Sequence, residues 1–411
     1  MIKWKTVAIY IFHAKEINAS LIIVLSMPYP DITMPITLMI VVTVAMLLTK
    51  RVEGKLKATV EEREFQTRDI ILLVIFMAVV VSIIAYTSIF APGQLLNNIF
   101  LLFFLGSYTL LLFTFSYLFS NVAKIRAQLL SIGFGIASVI AGSASLLEPL
   151  NDALSFYRAA AFFGLAIFCF AVAILEQTRP KTKERWYLAA QPPALFALLF
   201  ILFNVFYAGA LDVWYPILMD VFGLTFAILI ILYLSSLFNW KTVGLFAVLL
   251  TTLDIILVFS GPMVQAAGTF TRLGLPVLVF LPKIPLTIAP ANYMNFFGFL
   301  PSGLGLGDFF FAGVLAVQTF KKFGVKTAFI AIIAMTVAFG IWEAFLPDIL
   351  ASLSPIIGHT IGGFPGTLMI ISGWAPIVAL KVLSERRKNI AMPKVTEQTS
   401  KDFVPNNDLT K

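Results

Sequence analysis

The strongest constraint on this chain is a succession of apolar windows, each about twenty residues long, separated by short polar connections. A window of that length is what a helix needs to cross a hydrocarbon core ~30 Å thick. The windows lie near 33–49, 70–90, 97–120, 127–147, 153–175, 189–210, 215–237, 242–262, 298–320, 326–346 and 365–384, which predicts eleven spans. Helices are expected because a backbone in lipid must satisfy its own hydrogen bonds. Composition agrees: 60% of residues are hydrophobic and 12% charged, against ~45–50% and ~25% in soluble domains. The expected fold class is an all-α polytopic membrane protein, set in a lipid bilayer.

The net charge of +8 is not gathered into a nucleic-acid patch. Most of its basic residues fall in alternate connections: Lys50 to Arg68, Lys124 and Arg126, Arg179 to Arg185, Lys241, Lys321 to Lys326, and Arg386 to Lys388; Arg272 and Lys283, like Lys3, Lys5 and Lys15, are exceptions. The intervening connections near 91–96, 148–152, 211–214 and 347–364 carry neither Lys nor Arg. By the positive-inside rule the basic connections face the cytoplasm, which predicts a multi-pass cell-membrane protein with a cytoplasmic C-terminus. Lys3 and Lys5 precede a short apolar run that ends at His13-Ala14-Lys15-Glu16 without a small-residue cleavage site. An interfacial segment over 1–32 is expected there, not a removable signal peptide. Residues 386–411 turn polar and read as a disordered cytoplasmic tail. Cys169, the only cysteine, lies in an apolar span and reads as a small packing residue.

The connection from Gly261 to Phe297 interrupts the pattern. Prolines at 276, 282, 285 and 290 forbid a regular spanning helix. A short strand or re-entrant segment that packs on protein is the expected state.

Two carboxylates stand out against this background. Asp254 and Asp308 each lie near the middle of an apolar window, where an ionisable group costs at least ~2.5–3.5 kcal/mol and marks a protein-lined cavity. Asp254 follows Lys241 by the same interval as Asp308 precedes Lys321. Consecutive spans run antiparallel, so at ~1.5 Å per residue both acids sit roughly 20 Å from one membrane face and can meet. Other acids near spans, Asp220 and Glu343, lie closer to span ends and read as interfacial, while Arg158 reads as snorkelling or paired.

A pair of carboxylates in a low-dielectric site cannot both ionise, so the two share a proton, as in the aspartic-protease dyad. One then serves as base toward water and the other as acid toward a carbonyl, which hydrolyses an amide without metal or cofactor. Gly303, Gly305 and Gly307 leave one stripe before Asp308 without side chains, open to close backbone approach, local unwinding or tight helix packing. The same acids equally suit an ion or proton site of a transporter, and a membrane scaffold is a third class. The only histidines are His13 and His359 and no His-Glu-x-x-His occurs, so a zinc site is not expected. Ala141-Gly142-Ser143-Ala144-Ser145 lacks an intramembrane histidine to activate it and reads as helix packing. Phosphate-binding loops are absent, so nucleotide-driven transport has no support.

Gly305-Leu306-Gly307-Asp308-Phe309-Phe310-Phe311 resembles the Gly-x-Gly-Asp signature of the presenilin and signal-peptide-peptidase family of intramembrane aspartyl proteases, particularly its archaeal presenilin-like branch. Asp254-Ile255-Ile256-Leu257-Val258-Phe259 resembles the family's other active-site span, where a Tyr-Asp pair precedes a similar apolar run; here Leu253 holds the Tyr position. The resemblance implies Asp254 and Asp308 as the catalytic acids. It also implies that Leu275-Pro276-Val277-Leu278 belongs to a strand that pairs with an unwound substrate. Phe364-Pro365-Gly366-Thr367-Leu368 is the positional counterpart of the family's Pro-Ala-Leu and keeps its proline, so Pro365 and Leu368 join Gly305, Leu306 and Gly307 as motif residues. Pro193-Ala194-Leu195 precedes both aspartates and reads as coincidence.

Family members typically have nine spans with the first aspartate on the sixth; here it falls on the eighth. The expectation is therefore an extra N-terminal transmembrane hairpin over 33–96, five core spans over 97–238 and a catalytic half of four spans over 239–385. The implied activity is endopeptidase cleavage of transmembrane peptide or protein substrates. A cytoplasmic C-terminus matches the signal-peptide-peptidase orientation, which implies type II segments or signal-peptide remnants as substrates.

Overall fold

A computed structural model describes residues 31–59, 64–90, 94–146, 153–178, 185–202, 214–261, 277–286, 288, 301–357 and 363–391. The 1–30 and 392–411 segments, Leu275 and Pro276 lie outside the described residues. The chain is mainly helical: α1 (Thr33–Thr59), α2 (Thr67–Phe90), α3 (Gln94–Leu118), α4 (Lys124–Leu146), α5 (Ala153–Thr178), α6 (Trp186–Ala189), α7 (Gln191–Ile201), α8 (Trp214–Ser235) and α9 (Trp240–Phe259). Strands β1 (Leu278–Pro282) and β2 (Pro301–Gly305) follow, then α10 (Leu306–Phe323), α11 (Val325–Ala344), α12 (Leu346–Ile357) and α13 (Gly366–Ala391). Among the described residues, seven helices are long and apolar enough to cross a membrane: α1, α2, α4, α5, α9, α11 and α13.

The apolar window at 298–320 does not form one helix. Its first described part is β2, paired antiparallel with β1 so that Leu278 opposes Gly305, Phe280 opposes Gly303 and Pro282 opposes Pro301. A short apolar run carries no periodicity that separates strand from helix. Glycine at 303 and 305, with proline at 301, tilts this one away from helix. Pro282 and Pro301 sit at strand ends, where a missing N–H costs least. The hairpin fulfils the condition for irregular backbone at membrane depth, since Val279 and Leu304 are buried in protein.

Helix α10 is the axis of the molecule. It packs against α1, α8, α9, α11 and α13. Phe309, Phe311, Ala312, Val314, Leu315, Ala316 and Val317 are all fully buried. An apolar helix is stable in lipid or enclosed by protein, and this one is enclosed by protein. Its far end is fixed by polar bonds: Gln318 Nε2 donates to Ser235 O at 2.9 Å and to Phe238 O at 2.8 Å. Lys321 pairs with Glu53 of α1 at 2.9 Å, and Trp374 Nε1 donates to Thr319 Oγ1 at 2.8 Å.

The hairpin that the sequence sets apart at the N-terminus is integral to this core. Helix α1 packs on α8, α10 and α11, and α2 packs on α9. Met34, Leu38, Val41, Val42, Ala45 and Met46 share one buried cluster with Phe309 and Phe311. The peripheral pair is instead α4 and α5, which pack along each other and reach the remainder chiefly through α7. Small residues let them approach: Gly135 faces the Phe170 ring and Gly142 faces Phe162 and Phe163. Ser145 Oγ donates to Ala141 O, and Cys169 is fully buried, so both are absorbed by packing.

At the C-terminus, α13 runs on to Ala391, past the polar boundary at 386 that the sequence suggests for a tail. Glu, Arg and Lys are good helix formers. Basic residues also suit a helix C-terminus, and Lys381 pairs with Glu385 at 3.7 Å.

Candidate active site

Asp254 sits on α9, a helix started by an Asn239 capping box: the Asn239 side chain accepts from Lys241 N–H and Thr242 N–H. Asp308 sits in the first turn of α10, not mid-helix, because the strand precedes it. Gly305 is the last residue of β2 and caps α10 in an extended conformation (φ −71°, ψ 145°). Asp308 is three residues beyond that cap, the position from which an acid reaches back to the cap's backbone N–H, and it accepts this bond from Gly305. Leu306 is buried and its N–H donates to Val277 O at 2.8 Å, which fastens the start of α10 to the turn before β1.

The two aspartates converge on the N-terminus of α13. Thr367 Oγ1 donates to Asp254 Oδ2 at 2.7 Å, and Thr367 N–H donates to the same oxygen at 3.2 Å. On the neighbouring residue, a Cβ added at Gly366 would overlap Asp308 Oδ1 and stand 2.7 Å from Cγ. Adjacent residues of one helix thus touch both carboxylates. Pro365 is buried and its carbonyl accepts from Leu368 N–H and Met369 N–H, closing the first turn. Phe364 anchors the approach to that turn: its ring stacks on Trp342 of α11 at 4.9 Å and meets Phe259 of α9 edge-on at 6.1 Å.

Of the residues singled out from sequence, Asp254, Asp308, Gly305, Leu306, Pro365, Val277 and Leu278 are gathered here. Gly307 is exposed and a Cβ there would meet nothing within 4 Å. Leu368 contributes its backbone N–H to the turn. Leu253 packs against the main core.

Sequence reasoning missed four participants. Thr367 and Gly366 lay inside a quoted motif, and their value as first-turn residues with unpartnered N–H groups was the available signal. Asp220 was set aside as interfacial, yet it is buried, and its Oδ1 accepts from the Phe280 N–H of β1 at 2.7 Å. Glu343 likewise accepts from Ser302 Oγ of β2 at 3.2 Å, while Thr33 Oγ1 donates to Pro282 O at 2.9 Å. The hairpin is therefore pinned from α8, α11 and α1. Among the described residues, no group of three or more His, Cys, Asp or Glu is placed to hold a metal ion.

Compared with protein-family models, curated proteins and solved structures, the chain matches none.

Proposed function

We propose that this chain is an intramembrane aspartyl endopeptidase of presenilin-like type, cutting peptide bonds within transmembrane segments. The observation that carries the reading is the convergence of Asp254 and Asp308 on Gly366 and Thr367 from separate helices. Two carboxylates so placed share one proton. The ionised member takes a proton from water as the hydroxide adds to the scissile carbonyl carbon, and the protonated member gives its proton to the carbonyl oxygen. The gem-diol then collapses as a proton passes to the amide nitrogen and the C–N bond breaks, yielding an acid and an amine.

The hairpin supports the substrate side of this reading. Phe280 N–H is turned away from β2 and is taken by Asp220, so the outer edge of β1 is engaged. The edge of β2 leads past exposed Gly303 to Gly305 and Asp308. A strand added there would gain main-chain bonds that tolerate varied side chains and would deliver an unwound segment to the acids.

Under this reading nine spans form the core and two are added. Packing favours α4 and α5 as the added pair, since α1 and α2 lie against the aspartate helices. Either assignment inserts two crossings and leaves a cytoplasmic C-terminus, with type II segments or signal-peptide remnants as substrates.

The test is cleavage of a reconstituted single-span substrate by the wild type, Asp254→Ala and Asp308→Ala, with products located by mass spectrometry. Cutting inside the span by the wild type and silence in each variant is the expected result. Cleavage that persists in either variant sinks the dyad. Proton flux in proteoliposomes that disappears in Asp308→Asn would instead favour a transporter.

A further inference from the structure

Asp254 is held by a helix other than its own. Both bonds to Oδ2 come from Thr367, one from the hydroxyl and one from the backbone. Thr367 is the second residue of α13, so its N–H has no partner within the helix and is available to an acceptor from outside. The residue is 5% exposed, and its β-branched χ1 holds the hydroxyl in place. A carboxylate here caps α13 and is favoured by the helix dipole. The neighbouring position on α9, Leu253, carries no hydroxyl.

We infer that Thr367 is the positioning residue of Asp254. Its two donors occupy Oδ2 and fix the carboxylate plane, which commits Oδ1 to the reacting water and stands in for the hydroxyl that Leu253 does not supply. The inference rests on the aspartyl-endopeptidase reading. It goes beyond it in assigning Thr367 a role in kcat.

The test uses the full-length protein in proteoliposomes with the single-span substrate. Thr367→Val removes the hydroxyl at nearly constant shape; Thr367→Ser keeps it and discards the methyl. Losing a hydrogen bond to a charged group lowers kcat roughly ten- to hundredfold, with KM unchanged, and Thr367→Ser is expected to restore kcat to near the wild-type value. Wild-type kcat in Thr367→Val, or a loss that appears in KM alone, overturns the proposal. So does unfolding of Thr367→Val and Thr367→Ala while Thr367→Ser folds, because the hydroxyl would then serve stability. A wild type that cuts nothing, or an active Asp254→Ala, fails the endopeptidase reading itself and is separated from these outcomes by the same plate of assays.

Discussion

Asp220 and Phe280 are joined by a 2.7 Å hydrogen bond from a strand backbone to a buried carboxylate, across the boundary between α8 and the hairpin. The bond uses the one hydrogen-bonding direction of Phe280 that its partner strand leaves open. Asp220 therefore sets where β1 stands, and through the pairing of Leu278 with Gly305 it sets where the strand meets Asp308.

Asp220→Ala should leave the Phe280 N–H without an acceptor, at a cost of about 1–3 kcal/mol. Cleavage efficiency is expected to fall about tenfold or more, while Asp220→Asn, which retains an acceptor oxygen, stays near the wild type. Equal losses in both variants, measured as kcat/KM at matched folded protein, would point to charge in place of strand placement.

Gly366→Ala offers a stringent test of the site geometry. The added methyl is fixed to backbone and overlaps the Asp308 carboxyl, so the carboxyl must move. A displacement of about 1 Å at a reacting group costs about a hundredfold in rate. The variant is expected to fold and to lose at least that much activity, although Ala is the residue that Pro-Ala-Leu would place there. Thermal unfolding in detergent, run beside the cleavage assay, separates the two effects.

Gly373→Ala should act on stability. A Cβ at this position would overlap the Ala334 carbonyl oxygen of α11, a backbone atom that no rotamer change can remove. Helices α11 and α13 must then separate, and a lowered unfolding temperature is expected. An unchanged transition would mean that the helices pass each other less closely.

Gln318→Leu removes the amide that serves two buried carbonyls, Ser235 O and Phe238 O. Ser235 O keeps a bond from Lys321 Nζ at 3.1 Å, so the cost is that of leaving Phe238 O without this donor, about 1–3 kcal/mol. The expected result is a fall in thermal stability with cleavage per folded molecule retained, because the bond lies at the end of α10 remote from Asp308.

The sequence made the membrane class and both carboxylates legible for physical reasons: length of apolar run and an acid within it are properties of composition at a place. Asp308 is also flagged by the glycines before it, and the prolines at 282 and 285 agree with the described part of the long connection, 277–286, which is strand and turn. The strand at Pro301–Gly305 stayed hidden, since an apolar stretch that short looks alike in either state. Helices such as α9 and α11 are apolar on all sides, so nothing in them tells which face turns inward. Counting spans back from the first aspartate puts the extra hairpin at 33–96, and a count carries no information on packing. Thr367 and Asp220 escaped because their partners are backbone and carboxylate groups far away in the chain, a relation that only folding reveals.

The adjacency of Gly366 and Thr367 has a mechanical meaning. One gauges how near Asp308 can come, the other grips Asp254, and both ride on the first turn of the same shaft, ahead of Pro376. The clearance between the two acids is therefore set by a single part. A slight turn of that shaft would loosen one jaw as it crowds the other, so the alignment of the pair is gained or lost as a unit.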